Sequence, residues 1–314
     1  MREHESTHRD VPIRRHRRRF DDDPPAPGRR GRLTEDARAR LTARRADTPD
    51  PQDLPDGADR WSTWDDGEHG PLPRPNWVIT ELAAVDHELG SVKTGKEADV
   101  HLLRRSVPGT GRECLLAAKR YRDSDHRLFH RDAGYLEGRR VRRSREMRAI
   151  TARSSFGRNL IAEQWAAAEF AALGRLWAVG APVPYPVQRT GTELLLEFLG
   201  EHDGTAAPRL AALRPGGALL RDLWRQAVEA LHALAGQGLA HGDLSAYNLL
   251  VHRERLMVID LPQVVDLVAN PNGPEFLARD VRNITSWFRA RGLPVELADT
   301  DDLLADLRRE AGLA

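Results

Sequence analysis

The sequence predicts an α+β protein in two lobes, a small β-rich lobe followed by a helical one. Three observations carry this. Strand patterns dominate up to about residue 121 and long helical patterns come after it. Segregated strands and helices fit an α+β architecture better than an alternating one. The first 75 residues have the composition of a disordered tail, so the folded part starts late.

The elements follow in order. Residues 1–75 hold 10 of the 20 prolines and few aliphatic side chains. Residues 1–45 carry 14 Arg and 8 acids, and residues 46–75 carry 2 Arg and 8 acids, so the two parts oppose each other at +6 and −6. Dense charge with little hydrophobicity does not offset the entropy of ordering, and disorder is expected. Order is expected from near Trp77, with the type of 77–89 left open. VHLLRR (100–105) and ECLLAAKRY (113–121) flank the turn PGTG and read as a hairpin. Residues 159–179 place apolar side chains at helical spacing, and GAPVPYPV (180–187) breaks that helix. LLLEFLG (194–200) reads as a strand, 217–238 as a second long helix, and 249–252 with 256–260 as a strand pair. Residues 275–292 form an amphipathic helix with a C-cap signal at Gly292. The expected division is a tail over 1–75, a β-rich lobe over 76–196 with a basic insert at 131–158, and a helical lobe over 197–314.

Composition narrows the function. The chain has 314 residues, a net charge of +1 and one cysteine, Cys114. A single cysteine excludes an intramolecular disulfide and a cysteine-based zinc site. No apolar run approaches the ~18 residues of a membrane helix, and the charged N-terminus lacks a signal sequence. A cytoplasmic protein without membrane contact is the expectation. Near-zero charge argues against a wholly basic nucleic-acid binder. Of the 48 basic residues 45 are Arg; the three lysines, Lys93, Lys96 and Lys119, fall within 27 residues. Arg is a planar fork and Lys a compact point charge. Lysines kept in one place therefore point to a phosphate or a defined ion pair.

Four constellations carry chemistry. Gly90 to Lys96 in GSVKTGKEADV matches the start of a Walker loop, but Glu97 stands where Ser or Thr should hold magnesium, and a strand pattern follows instead of a helix. A strand–turn–strand with Thr94, Gly95 and Lys96 at the bend remains, whose backbone N–H groups can face an anion. Lys119 ends an apolar strand, as does the strand lysine that holds the α/β-phosphates in kinases and pairs with a helix Glu. Glu169, an isolated charge in an Ala-rich helix, is the candidate partner, and Glu163 is the competitor. In HGDLSAYNLL (241–250), Asp243 and Asn248 have the spacing of a catalytic loop: one orients the attacking hydroxyl, the other ligates magnesium. LMVIDLPQ (256–263) delivers Asp260 to a strand end, where a second oxygen ligand for magnesium belongs. The histidines show no metal-binding pattern.

Together KTGKEADV (93–100), AAKRY (117–121), HGDLSAYN (241–248) and IDLPQVVDL (259–267) resemble the RIO-type atypical serine/threonine kinases, over about residues 76–292. The resemblance implies a two-lobed protein-kinase-like fold that lacks a long activation segment. It implies an ATP site made by Thr94, Gly95, Lys96, Glu97, Ala98, Val100, Lys119 and Glu169, with Glu197 and Leu199 at the hinge. It implies Asp243 as the catalytic Asp, Asn248 and Asp260 as magnesium ligands, and Asp260 also as a phosphate acceptor. ATP and Mg2+ are the implied cofactors. The reaction it implies is γ-phosphate transfer to a protein substrate, by autophosphorylation, or to water. The segment 131–158, with nine Arg and three acids, is more basic than the family's flexible loop. With the Arg-rich tail, it raises ribosomal RNA or a pre-ribosomal particle as a partner, and a ribosome-assembly ATPase switch as an alternative function. The other alternative is an aminoglycoside- or choline-kinase-like phosphotransferase. Only 54 residues follow Asp260, short for the substrate pocket such enzymes build.

Overall fold

The computed structural model describes residues 54–122 and 155–313. All of them lie in the compact unit Pro49–Ala314. Residues 1–53 of the tail expected over 1–75, and residues 123–154, which include most of the basic insert, lie outside the described residues.

Seven antiparallel strands form the first lobe. Their ranges are β1 Arg60–Trp61, β2 Glu68–His69, β3 Val85–Thr94, β4 Ala98–Val107, β5 Arg112–Tyr121, β6 Pro186–Thr190 and β7 Glu193–Glu197. The sheet order is β1-β3-β4-β5-β7-β6-β2. The expected hairpin is β4–β5, with Arg104 opposite Leu115 and Val100 opposite Lys119. Successive side chains of a strand point to opposite faces. On β5, Leu116 and Ala118 therefore enter a small core with Trp64, Val78, Leu103, Tyr185, Val187 and Leu195, whereas Ala117, Lys119 and Tyr121 face a cavity on the other side.

The expectation that order begins near Trp77 is corrected here. Residues 54–75 belong to the sheet: β1 pairs with β3 and β2 with β6. Average hydrophobicity missed them because few side chains do the anchoring. Trp64 is buried and stacks on His69 at 3.9 Å. Arg60 binds Asp86 at 3.1 Å and Glu193 at 2.7 Å. Asp86 in turn receives a two-pronged contact from the fully buried Arg105, at 2.7 and 3.0 Å, and Arg105 also donates to Gln188 at 2.9 Å. A buried charge needs such complete pairing. The β-rich lobe therefore starts well before residue 76.

The first long helix, α1 (Ser155–Ala178), packs on the sheet. Its residues Ala162, Ala166, Phe170, Leu173 and Leu176 recur at helical spacing in the main core. Helix α2 (Gly217–Gly236) buries Leu220, Leu223, Trp224, Ala227, Leu231 and Leu234 along one face. A hairpin of β9 (Leu249–His252) and β10 (Arg255–Val258) follows the short strand β8 (Leu239–Ala240), which pairs with β11 (Val265–Asp266). Helix α3 (Gly273–Arg289) carries Pro274 in its first turn and buries Leu277, Val281, Ile284 and Phe288. Helix α4 (Thr300–Glu310) was not foreseen, although Asp299 caps it by accepting from the Asp301 and Asp302 N–H groups. Cap residues of this kind satisfy first-turn donors that have no helical partner. Only twelve residues separate Asp260 from α3, so no long segment intervenes.

Candidate active site

A cavity of about 540 Å³ lies between the cavity face of the sheet and the β9–β10 hairpin. Gly95, Lys96, Glu97, Ala98, Val100, Lys119, Glu169, Glu197, Leu199 and Asp260 all line it. Thr94 is outside the lining; it is exposed, and its hydroxyl lies 3.5 Å from Ser91 Oγ. Asp243 and Asn248 are also outside the lining and sit in the adjoining loop.

Lys119 is the centre of the polar arrangement. Its Nζ donates to Glu169 Oε1 at 2.7 Å and to Asp260 Oδ1 at 2.6 Å. β5 supplies the lysine, α1 the glutamate and the end of β10 the aspartate, so three separated segments meet at one ammonium. Burial disfavours the charge on Lys119, but the carboxylates of Glu169 and Asp260 outweigh it and hold the ammonium well above the usual lysine range. Glu169 is buried and fully engaged: Oε1 also accepts from the Leu261 N–H at 3.0 Å, and Oε2 accepts from the Tyr121 hydroxyl. Glu163, the competitor from sequence, makes none of these contacts.

Asp260 has a backbone φ of +68°, a conformation that non-glycine residues rarely adopt. Strain of this kind, of order 1–3 kcal/mol, is kept where surrounding structure over-determines it. Here the Leu261 N–H is tied to Glu169 and the Asp260 carboxylate to Lys119. Lys93 brings a second ammonium to 4.0 Å from Asp260 Oδ2. Burial raises the Asp260 pKa, but Lys119 and then Lys93 more than reverse this and hold the carboxyl at about 2.

The loop 241–248 is positioned from beneath. His241 Nε2 donates to the Ile259 carbonyl at 3.0 Å, and its Nδ1 lies 3.4 Å from the Asp243 N–H. Asp280 of α3, fully buried, accepts from the N–H groups of Gly242 and Leu244, both at 2.8 Å. Arg279 donates to the Gly242 carbonyl and Asn283 to the Leu244 carbonyl. Gly242 has φ +85°, and a Cβ there would lie 2.4 Å from the Gln263 carbonyl oxygen. Only glycine fits. Asn248 Nδ2 donates to the Asp243 carbonyl at 3.0 Å, which leaves Oδ1 as its uncommitted acceptor. The Ile259 N–H bonds to the Asn248 carbonyl at 3.0 Å, which ties the loop to the strand end that carries Asp260.

Four features were missed from sequence. Tyr121 is on the same face as Lys119, two residues on, so alternation along β5 could have placed it. Arg209 lines the cavity and donates to the Tyr247 carbonyl. Asp280 lies 37 residues beyond Asp243, and no local pattern marks either it or Arg209. Lys93 was singled out as a lysine but not placed on Asp260.

A lysine paired with a helix carboxylate over a cavity, beside a loop that presents Asp and Asn, is the arrangement of a protein-kinase-like phosphotransferase in two lobes. The RIO domain family matches residues 117–302, more than half of the chain. The RIO-type serine/threonine-protein kinase Rio1 of Haloferax volcanii is 35% identical over 228 residues, which cover 72% of this chain and 71% of that one. Serine/threonine-protein kinase RIO1 of Caenorhabditis elegans is 34% identical over 220 residues, covering 66% of this chain but 38% of the relative. Among solved structures, the Rio2 kinase of Chaetomium thermophilum is 21% identical, with a TM-score of 0.46 over 72% of this chain and 69% of that one. The chain belongs to the RIO family of serine/threonine protein kinases. The aminoglycoside- and choline-kinase-like reading gains no support from these relatives.

Proposed function

We propose that the cavity binds ATP with Mg2+ and that the chain passes the γ-phosphate to a serine or threonine hydroxyl, to Asp260, or to water. The observation that carries this is the buried ammonium of Lys119, held between Glu169 and Asp260 in the cavity wall. One carboxylate partner is enough to hold the ammonium, so the other contact can be exchanged for phosphate oxygens in the cavity.

In this reading Lys119 gives up its contact with Asp260 when the α- and β-phosphates arrive, while Glu169 keeps it in place. The turn 93–97 covers the phosphates, and its backbone N–H groups and the ammonium of Lys96 face them. The backbone at Glu197 and Leu199 reads the adenine edge. Asp260, once free of Lys119, and the uncommitted Oδ1 of Asn248 would hold the magnesium ion. Carboxylate and amide oxygens are what magnesium takes, with phosphate oxygens completing the set. Among the described residues no three His, Cys, Asp or Glu side chains gather as a metal site of their own. When bound, magnesium would supply charge neutralisation of the phosphates. Asp243 orients the acceptor hydroxyl and takes its proton. Positioning and charge neutralisation therefore supply most of the rate.

Two assays test this. Asp243→Asn is expected to abolish phosphate transfer while ATP still binds; unchanged turnover would sink the assignment. Labelling the protein with radioactive ATP and then treating it with hydroxylamine separates the acceptors, because an acyl phosphate on Asp260 is cleaved and phosphoserine is not. The Arg-rich segments outside the described residues support a second reading, an ATPase that binds ribosomal RNA or a pre-ribosomal particle. Salt-sensitive co-sedimentation with small ribosomal subunits tests it. No helix among the described residues is long and apolar enough to cross a membrane.

A further inference from the structure

Strand register puts Lys93 in one row with Lys119. Lys93 of β3 stands opposite Val100 of β4, and Val100 stands opposite Lys119 of β5. Residues directly opposite in an antiparallel pair point to the same face, and all three line the cavity. A bulge in β3 puts Lys93 there. The β3–β4 register shifts between Ser91 and Lys93, so Val92 is an extra residue without a partner in the ladder. Without it Lys93 would fall opposite Asp99, which alternation turns away from the cavity and which binds Arg122. A slip of one residue moves side chains to the other face, and bulges re-aim side chains beside active sites.

The two lysines start two strand spacings apart, about 10 Å at the backbone, and converge on one carboxylate. Lys119 Nζ lies 2.6 Å from Asp260 Oδ1, and Lys93 Nζ lies 4.0 Å from Oδ2. Their surroundings differ. The Lys119 side chain is 10% exposed and anchored on Glu169 at 2.7 Å. The Lys93 side chain is 44% exposed and makes no other ion pair among the described residues. The sheet order sets the direction: β7 is followed by β5, β4 and β3. The hinge residue Glu197 ends β7, Lys119 is on β5 and Lys93 on β3. A nucleotide with its base at the hinge and its α- and β-phosphates at Lys119 therefore extends its terminal phosphate towards Lys93.

We propose that Lys93 is a specificity-determining residue that binds the γ-phosphate and lets the cavity tell ATP from ADP. This rests on the reading of the cavity as an ATP site. A compact ammonium on a flexible four-carbon stem can move from the Asp260 carboxylate to a phosphate nearby. Its contact with phosphate is charge-assisted, roughly twice as strong as a neutral hydrogen bond, and ADP cannot make it. A lysine that merely tied the 93–97 turn to Asp260 would serve ADP and ATP alike.

The test is calorimetric titration of the full chain, in Mg2+, with ADP and with the β,γ-imido analogue of ATP, which is not turned over. Lys93→Met keeps the stem and removes the charge, while Lys93→Arg keeps the charge. The native chain is expected to bind the triphosphate analogue tighter than ADP. Lys93→Met should weaken the analogue roughly tenfold and ADP by less than about twofold. Lys93→Arg should keep most of the preference. Thermal melting shows that the variants fold, and Lys93→Gln repeats the test should the methionine variant melt early. Equal loss for both nucleotides means that Lys93 only holds the turn, and overturns the proposal. So does equal binding of both by the native chain, or tighter binding of both by Lys93→Met. A native chain that binds neither nucleotide refutes the ATP reading itself. A chain that binds both and keeps its preference in Lys93→Met refutes only the role of Lys93.

Discussion

Replacing Glu169 by Gln keeps the shape of the side chain and removes its charge. In the native site Oε1 accepts from Lys119 at 2.7 Å and from the Leu261 N–H at 3.0 Å, while Oε2 accepts from Tyr121. The amide oxygen of Gln can replace Oε1, but its NH2 group then meets the Tyr121 hydroxyl. That hydroxyl accepts from the amide and is left with a buried proton that has no acceptor. One hydrogen bond to a charged group becomes neutral, a loss of about 1 kcal/mol, and the stranded hydroxyl proton costs about 1–2 kcal/mol more. Deleting one partner of a buried ion pair costs about 3–5 kcal/mol. The expected loss is smaller, about 2–3 kcal/mol, because Asp260 still holds Lys119 at 2.6 Å. For a protein of this size that lowers the Tm by roughly 4–12 °C. With Glu169 neutral, Lys119 stays on Asp260, and ATP affinity should fall roughly tenfold, about 1.4 kcal/mol. Thermal melting by circular dichroism and ATP titration by calorimetry read the two effects. A melting point within about 1 °C of the native protein, together with unchanged ATP affinity, would refute the view that Glu169 anchors the lysine.

Three further outcomes are expected. The Asp260 carboxyl, held at about 2 by Lys119 and Lys93, has a folded pKa below the ~3.9 of an unfolded Asp. Its stabilisation is therefore fully present above about pH 4 and is lost as pH falls towards 2; in the nucleotide-free protein, Asp260→Asn should remove that part of the acid dependence, as urea titrations at several pH values would show. Gly242→Ala puts a methyl group 2.4 Å from the Gln263 carbonyl at a φ of +85°, so phosphate transfer should fall at least roughly tenfold while ATP affinity stays within a factor of about two, an effect of loop displacement and not of nucleotide loss. Trp64→Ala removes a buried ring from the small core, a loss of about 3–5 kcal/mol, and limited proteolysis should then cut first within residues 54–75.

How much of this was legible depends on whether the signal is local. Lys119, Glu169 and Asp260 could each be picked out because each breaks a local pattern: a charge ending an apolar strand, a lone acid in an alanine-rich helix, an acid at a strand end. Asp243 and Asn248 were legible by spacing alone. Residues 54–75 were misjudged because composition averages over a window, whereas one buried Trp and one Arg with two carboxylate partners hold that segment. Asp280 was invisible for a related reason. Its job is to accept two backbone N–H groups of a loop 37 residues away, and nothing in its own helix differs from an ordinary acidic position.

The amino-acid sequence alone pointed to the strand-then-helix order and the β4–β5 hairpin, and singled out the residues proposed to bear the chemistry. These are short-range properties, set by side-chain periodicity and by the residue types a reaction requires. Only the tertiary structure decided that Lys119 contacts Glu169 and Asp260 together and that Lys93 shares Asp260. Those facts depend on distances between segments far apart in the chain, and packing of the whole core sets such distances.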